Sequence, residues 1–255
     1  MRTLRYAGNV EAMADLSLPD GGRAPATVVL IHGGFWRAPY RRDLMTPLAR
    51  DLTAHGYATW NIEYRRVGGS GGWPETFLDV AAAVDGLADV DAPVDLERVA
   101  VLGHSAGGHL ALWAAARQRL ADGPGAAPRV KPTVVLALAA VADLHAAARD
   151  RLVERAAEAL LDGPPSRHAE RYAHASPAAL LPLGVPQILV HGTADDRVPC
   201  AHGRDYVDGA RSAGDTVDWV ELEGVDHFAL IDPDSTAWPQ ARQALSRRFP
   251  VDRAD

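Results

Sequence analysis

Short apolar runs separated by helix-forming stretches constrain this chain more than any other feature of its sequence. Thr27–Ile31, Tyr57–Ile62, Val99–Leu102, Val134–Ala139 and Ile188–Val190 are each of buried-strand length, and Val217–Leu222 reads as a further strand before a helix over Ser235–Arg248. Between them, Met45–His55, Thr76–Leu87 and Ala106–Leu120 are rich in Ala, Leu and Arg, which lose little on entering a helix. Strands that are apolar throughout are buried on both faces, and a sheet achieves that when crossover helices cover it. The expectation is an α/β fold with a mostly parallel central sheet and helices on both faces. No long linker or internal repeat interrupts the 255 residues, so one domain is expected.

With 47% hydrophobic and 23% charged residues the chain has enough apolar side chains for a full core. No apolar run nears the roughly 20 residues that cross a bilayer, so no membrane partner is expected. A net charge of −7 argues against a nucleic-acid partner, and the Arg37, Arg41 and Arg42 cluster is too short to change that. The N-terminus has basic residues without an apolar segment behind them and reads as a cytoplasmic start. Cys200, the single cysteine, leaves no intramolecular disulfide and reads as a small packing residue.

Two stretches stand outside the alternation. Gly68-Gly69-Ser70-Gly71-Gly72-Trp73-Pro74 is too flexible for a regular element and forms a loop at a strand end, where open α/β sheets place ligands. Asp143–Leu183 is long for a crossover and contains a helical stretch over Ala146–Leu161; it is a candidate small lid, or a large connection.

The chemistry concentrates at Gly103-His104-Ser105-Ala106-Gly107, which directly follows one strand and directly precedes a helix. In that context G-x-S-x-G is a nucleophile elbow: the serine sits on a strained turn, and small residues on either side let strand and helix backbones approach. A serine hydroxyl needs a base to take its proton and an acid to orient that base. Two later strand-end turns supply them: His191-Gly192-Thr193-Ala194-Asp195-Asp196-Arg197-Val198-Pro199 and Gly224-Val225-Asp226-His227-Phe228. His227 is the expected base, with Asp226 a weak rival to the acid of the earlier turn. His104 and His109 read as packing histidines beside the elbow, while His55, His145, His168, His174 and His202 read as surface residues. A fourth piece, His32-Gly33-Gly34-Phe35-Trp36, follows the first long strand and fits the task of receiving an oxyanion.

Together these motifs resemble the α/β-hydrolase superfamily over nearly the whole chain, in particular the esterase branch that includes kynurenine formamidases (arylformamidases). The H-G-G-x-W loop and the elbow G-H-S-A-G-x-H-L are similar to those of the formamidases; both also occur in uncharacterised bacterial esterases and feruloyl-esterase-like proteins. The resemblance implies the triad order Ser105, Asp195, His227, with Asp195 rather than Asp196 at the acid position of H-G-x-x-D-x-x-V-P. It implies oxyanion donors at Gly34, Phe35 and Ala106, with His32 bracing the loop, and a mechanism that requires no metal or cofactor. Trp36 and Trp73, with Phe35, are candidate walls of an aryl pocket and equally candidates for packing. The implied function is hydrolysis of small esters or aryl formamides. Two other readings are a small-peptide or amide hydrolase of the prolyl-oligopeptidase type, against which no propeller-sized extra domain is present, and a non-catalytic binding protein on the same fold.

Overall fold

The computed structural model describes residues 1–20 and 26–251. The chain enters through two short strands, β1 (Arg2–Arg5) and β2 (Met13–Ser17), paired antiparallel at one sheet edge. Then come β3 (Thr27–Ile31), α1 (Thr46–Ala54), β4 (Ala58–Ile62), α2 (Glu75–Asp85), β5 (Val99–His104), α3 (Ala106–Ala116) and β6 (Val134–Leu138). The second half contains α4 (Leu144–Arg149), α5 (Leu152–Leu161), α6 (Ala169–Ala175), β7 (Gln187–Gly192), α7 (Cys200–Ser212), β8 (Val217–Leu222) and α8 (Trp238–Arg248).

Among the described residues the sheet has eight strands in the order β1-β2-β4-β3-β5-β6-β7-β8, parallel from β4 onward. The mostly parallel sheet with helices on both faces matches the expectation from the apolar runs. Alternate side chains of β3 serve the two faces: Val29 and Ile31 pack toward α2 and α3, Val28 and Leu30 toward α1 and α8. The α3 helix is buried along its whole length, as a helix apolar all round must be.

The expected helix over Ala146–Leu161 is two helices, because Arg151 takes a left-handed φ of 52° and breaks it. Asp143 starts the first by accepting the NH groups of His145 and Ala146. The segment is fastened where it lies. Trp113 Nε1 donates to His174 O, and Trp73 N to Leu160 O, which joins it to α3 and to the glycine-rich loop.

Candidate functional site

The site is assembled at the C-terminal ends of β3, β5, β7 and β8. Ser105 occupies the turn between β5 and α3 with φ 56° and ψ −118°, a conformation that costs a non-glycine residue roughly 1–2 kcal/mol. The turn is possible because a Cβ on Gly103 would lie 2.0 Å from Gly107 O, and one on Gly107 2.1 Å from Ile31 O. Ser105 N donates to Leu138 O, which holds the turn to the neighbouring strand.

Past β7, the Asp195 carboxylate is fully buried. Its Oδ1 accepts the NH groups of Arg197 and Val198, and its Oδ2 lies 2.7 Å from His227 Nδ1 and 3.2 Å from His191 Nε2. Burial works to raise the pKa of Asp195, but the hydrogen bonds from His191 and His227 and the Val198 NH outweigh it and hold the carboxyl well below the ordinary range. Asp196, 71% exposed, pairs with Arg197, and Asp226 caps its own turn through the NH groups of Phe228 and Ala229. Of the three carboxylates, Asp195 is the one brought to His227. Both Ser105 and His227 are 2% exposed, and among the described residues no hydrogen bond joins the Ser105 hydroxyl to His227 Nε2. Catalytic hydrogen bonds commonly tighten only when substrate is bound.

The loop after β3 runs through three consecutive left-handed residues, Gly34 (φ 102°), Phe35 (57°) and Trp36 (56°). Its internal ties, Arg37 N to Gly34 O and Val67 N to Trp36 O, leave the NH groups of Gly34 and Phe35 outside them. A buried charged cluster stands behind it. His32 donates from Nε2 to Glu63 Oε1 (2.9 Å) and from Nδ1 to Gly33 O (2.7 Å), and Tyr64 stacks on the His32 ring at 4.3 Å. Arg66 donates to the same carboxylate oxygen of Glu63, while the Arg42 NH bonds its other oxygen. Burial disfavours the charged form of Glu63, yet the bond from His32 and the neighbouring charges of His32 and Arg66 lower its pKa below the usual value. Glu63 and Arg66 are the site-supporting residues that sequence reasoning missed. The available signal is two charged residues three apart immediately after a strand.

The histidines flanking the elbow are buried and hydrogen-bonded. His104 Nε2 donates to His227 O, and burial with the neighbouring His227 drops its pKa to about 3. His109 accepts from Trp36 Nε1 and donates to Ala175 O, and burial drops its pKa to about 4. His202, expected at the surface, is instead buried, because it lies in the first turn of the unforeseen helix α7, where its Nε2 accepts from Asp143 N. Of the candidate pocket aromatics, Trp36 is 2% exposed and turned into the core, and Trp73 packs edge-on against Phe77. Phe35 is the one that lines a pocket of about 400 Å3, with Arg37, Tyr40, Glu154, Asp196 and Arg197. Neither that pocket nor one of about 450 Å3 between α4 and α7 is lined by Ser105, Asp195 or His227.

Residues 14–208 match the BD-FAE family model. A Mycobacterium tuberculosis (strain ATCC 25618 / H37Rv) protein named probable carboxylic ester hydrolase LipM is 28% identical over 221 residues, covering 81% of this chain and 49% of the relative. The chain thus spans about half the length of that relative. Among solved structures, esterase B from Lactobacillus rhamnosis is similar with a TM-score of 0.84 at 22% identity, covering 97% of this chain and 84% of that one. A truncated carbohydrate esterase from gut microbiota has a TM-score of 0.84 at 18% identity, covering 98% and 96%. A thermophilic esterase from Thermogutta terrifontis has a TM-score of 0.77 at 19% identity, covering 100% and 96%. At such identities the likeness concerns the fold, which is that of the α/β-hydrolases.

Proposed function

Because this chain belongs to the BD-FAE family, we propose that it is a serine hydrolase of small carboxylic esters, with Ser105 as nucleophile, His227 as base and Asp195 orienting the base. The supporting observation is the buried 2.7 Å contact between Asp195 and His227 Nδ1, placed at strand ends beside the strained elbow. A carboxylate on Nδ1 fixes the tautomer that leaves Nε2 free to accept a proton. The name of the mycobacterial relative supports an ester as substrate.

In this reading Ser105 Oγ attacks the carbonyl carbon while its proton passes to His227 Nε2. The carbonyl electron pair moves onto oxygen, where the NH groups of Gly34, Phe35 and Ala106 receive it. Collapse of the adduct expels the alkoxide, which takes the proton from His227; water then repeats the sequence and releases the acid. The pocket beside Phe35 holds the leaving group. Aryl formamides are a second substrate class, supported by the similarity of the His32–Trp36 loop to that of the formamidases. Stoichiometric fluorophosphonate labelling, lost in Ser105→Ala, is the expected result. A folded protein that neither takes the label nor hydrolyses p-nitrophenyl acetate is a binding protein instead.

A further inference from the structure

His109 lies one helical turn beyond Ser105 and is fully buried, yet nothing in the reaction above uses it. Its surroundings fix its protonation pattern. The indole NH of Trp36 can only donate, so His109 Nδ1, 3.2 Å away, must offer a lone pair. The proton of the neutral ring is therefore on Nε2, which donates to Ala175 O at 2.9 Å. Ala175 is the last residue of α6, where helix carbonyls lack internal partners, and the preceding carbonyl, that of His174, is taken by Trp113, the next residue on the same face of α3. The lid segment thus sets the tautomer of a ring whose other nitrogen holds Trp36.

Trp36 is the residue that most needs holding. It ends the run of three left-handed residues that begins at Gly34, and such backbone persists only where its surroundings over-determine it. The candidate oxyanion donors, the NH groups of Gly34 and Phe35, belong to the two residues immediately before it. Apart from the Val67 bond to its carbonyl oxygen, the polar tie on Trp36 is the one from its indole to His109. Because α3 starts at the nucleophile, that tie sets the loop in register with Ser105.

We propose that His109 is a positioning residue for the hydrolysis: as a neutral, Nε2-protonated ring it clamps Trp36 and so aims the oxyanion loop at the carbonyl attacked by Ser105. This rests on the hydrolase reading above. The clamp acts on a group that carries charge in the transition state, so its loss lowers kcat and leaves KM near its original value.

The test uses the intact chain with p-nitrophenyl acetate, counting competent sites by fluorophosphonate titration so that misfolded protein does not enter kcat. His109→Leu removes both bonds, and Trp36→Phe removes the indole NH while leaving the His109 bond to Ala175 in place. Each is expected to lower kcat about 30-fold with KM changed less than about twofold. The double variant should be no slower than the slower single, because the two residues form one clamp. His109→Gln, whose amide can accept from Trp36 and donate to Ala175, should recover most of kcat. Unchanged kcat in His109→Leu and Trp36→Phe, losses that multiply in the double variant, a loss confined to KM, or equal loss in the Gln and Leu variants overturns the clamp while the hydrolase reading stands. A wild-type protein without label or turnover overturns both.

Discussion

In the proposed hydrolase the two halves of the site are held in different ways. On the β3 side the groups to be aimed are backbone NH groups, presented from left-handed residues and backed by Glu63, Arg66, His32 and His109. On the β7 and β8 side they are side chains presented from turns that their own carboxylates cap, Asp195 over Arg197 and Val198, and Asp226 over Phe228 and Ala229. A side chain is aimed by its rotamer and one or two bonds. A backbone NH is aimed only by fixing φ and ψ, and fixing them in a strained region requires a scaffold that reaches well beyond the loop. The oxyanion half should therefore respond to substitutions at a distance, and the acid–base half mainly to changes in its own residues.

The largest effects should fall on the reacting groups. Ser105→Ala and His227→Ala should each lower kcat by roughly 10⁴ or more, with the double variant no worse, since triad members act as a unit. Asp195→Asn should lower kcat by about 10⁴ through the wrong tautomer of His227, and Asp196→Asn, at an exposed residue, should stay within about twofold. Steady-state kinetics on the four variants decides this. A larger loss at Asp196 would transfer the orienting role to it.

Stability should separate the halves next. Glu63→Gln takes one of two carboxylates from Arg66, whose side chain is 2% exposed and which keeps Glu11 at 2.7 Å, and removes the charge from the oxygen that His32 meets, at a cost of about 2 kcal/mol. Asp226→Asn keeps an acceptor for its exposed turn and should cost under about 1 kcal/mol. Denaturant titration of both variants gives the comparison. Equal losses would mean that the cluster behind the oxyanion loop is no more critical than an ordinary turn cap.

Each half also contains a buried histidine held neutral, His104 beside His227 and His109 beside Trp36, with pKa values lowered to about 3 and about 4. The unfolded chain takes up a proton on each ring near 6.5, and the folded chain does not until much lower pH. Unfolding therefore becomes easier as pH falls below about 6.5, each ring contributing roughly 2 kcal/mol of lost stability between pH 7 and pH 5. Glu63 and Asp195 act lower still. Their folded pKa values lie below the unfolded ones, so their contribution is complete above the carboxylate range and disappears as pH falls through the folded values. His109→Gln should reduce the pH 7 to pH 5 loss by about 2 kcal/mol, and an unchanged loss would show that the ring is protonated while folded.

How much of this was legible in the sequence depended on whether the cause was local. Thr27–Ile31 is legible to the residue because it is buried by crossover helices on both faces, and Val217–Leu222 because its apolar Val217, Trp219, Val220 and Leu222 outweigh Asp218 and Glu221 at a half-exposed sheet edge. β1 and β2 were not read. They form a sheet edge with Arg2, Arg5 and Asp15 facing outward or half-buried, and lack an apolar run. α7 is not legible because, beside Tyr206 and Val207, its buried face consists of the small or polar Cys200, His202, Gly203 and Ala210, and two glycines lower its helix propensity. The residues of the acid–base half were legible as motifs tied to strand ends. That Ser105 and His227 are each 2% exposed was not, because a motif at a strand end does not encode what packs over it. The bonds of His109 join positions 36, 109 and 175, and no sequence spacing encodes such a contact.

The smallest effects concern substrate choice. An oxyanion loop fixed by its scaffold cannot retreat from a bulky acyl group, so kcat/KM for p-nitrophenyl esters should fall about fivefold for each methylene beyond about four carbons. In the proposed reading Phe35→Ala removes an aromatic wall on the leaving-group side, not on the acyl side. It should lower kcat/KM for aryl acetates several-fold relative to methyl acetate and leave the chain-length slope unchanged, the scale of one aromatic contact being about 1 kcal/mol. A slope that flattens in Phe35→Ala would place the acyl group, rather than the leaving group, against this wall. N-formylkynurenine supplies the comparison between substrate classes. An activated ester is the easier reaction, so faster hydrolysis of the formamide can come only from contacts to its leaving group, which Phe35→Ala should then weaken. Turnover of short aryl esters with the formamide untouched would leave the loop resemblance without a functional counterpart and the chain an esterase.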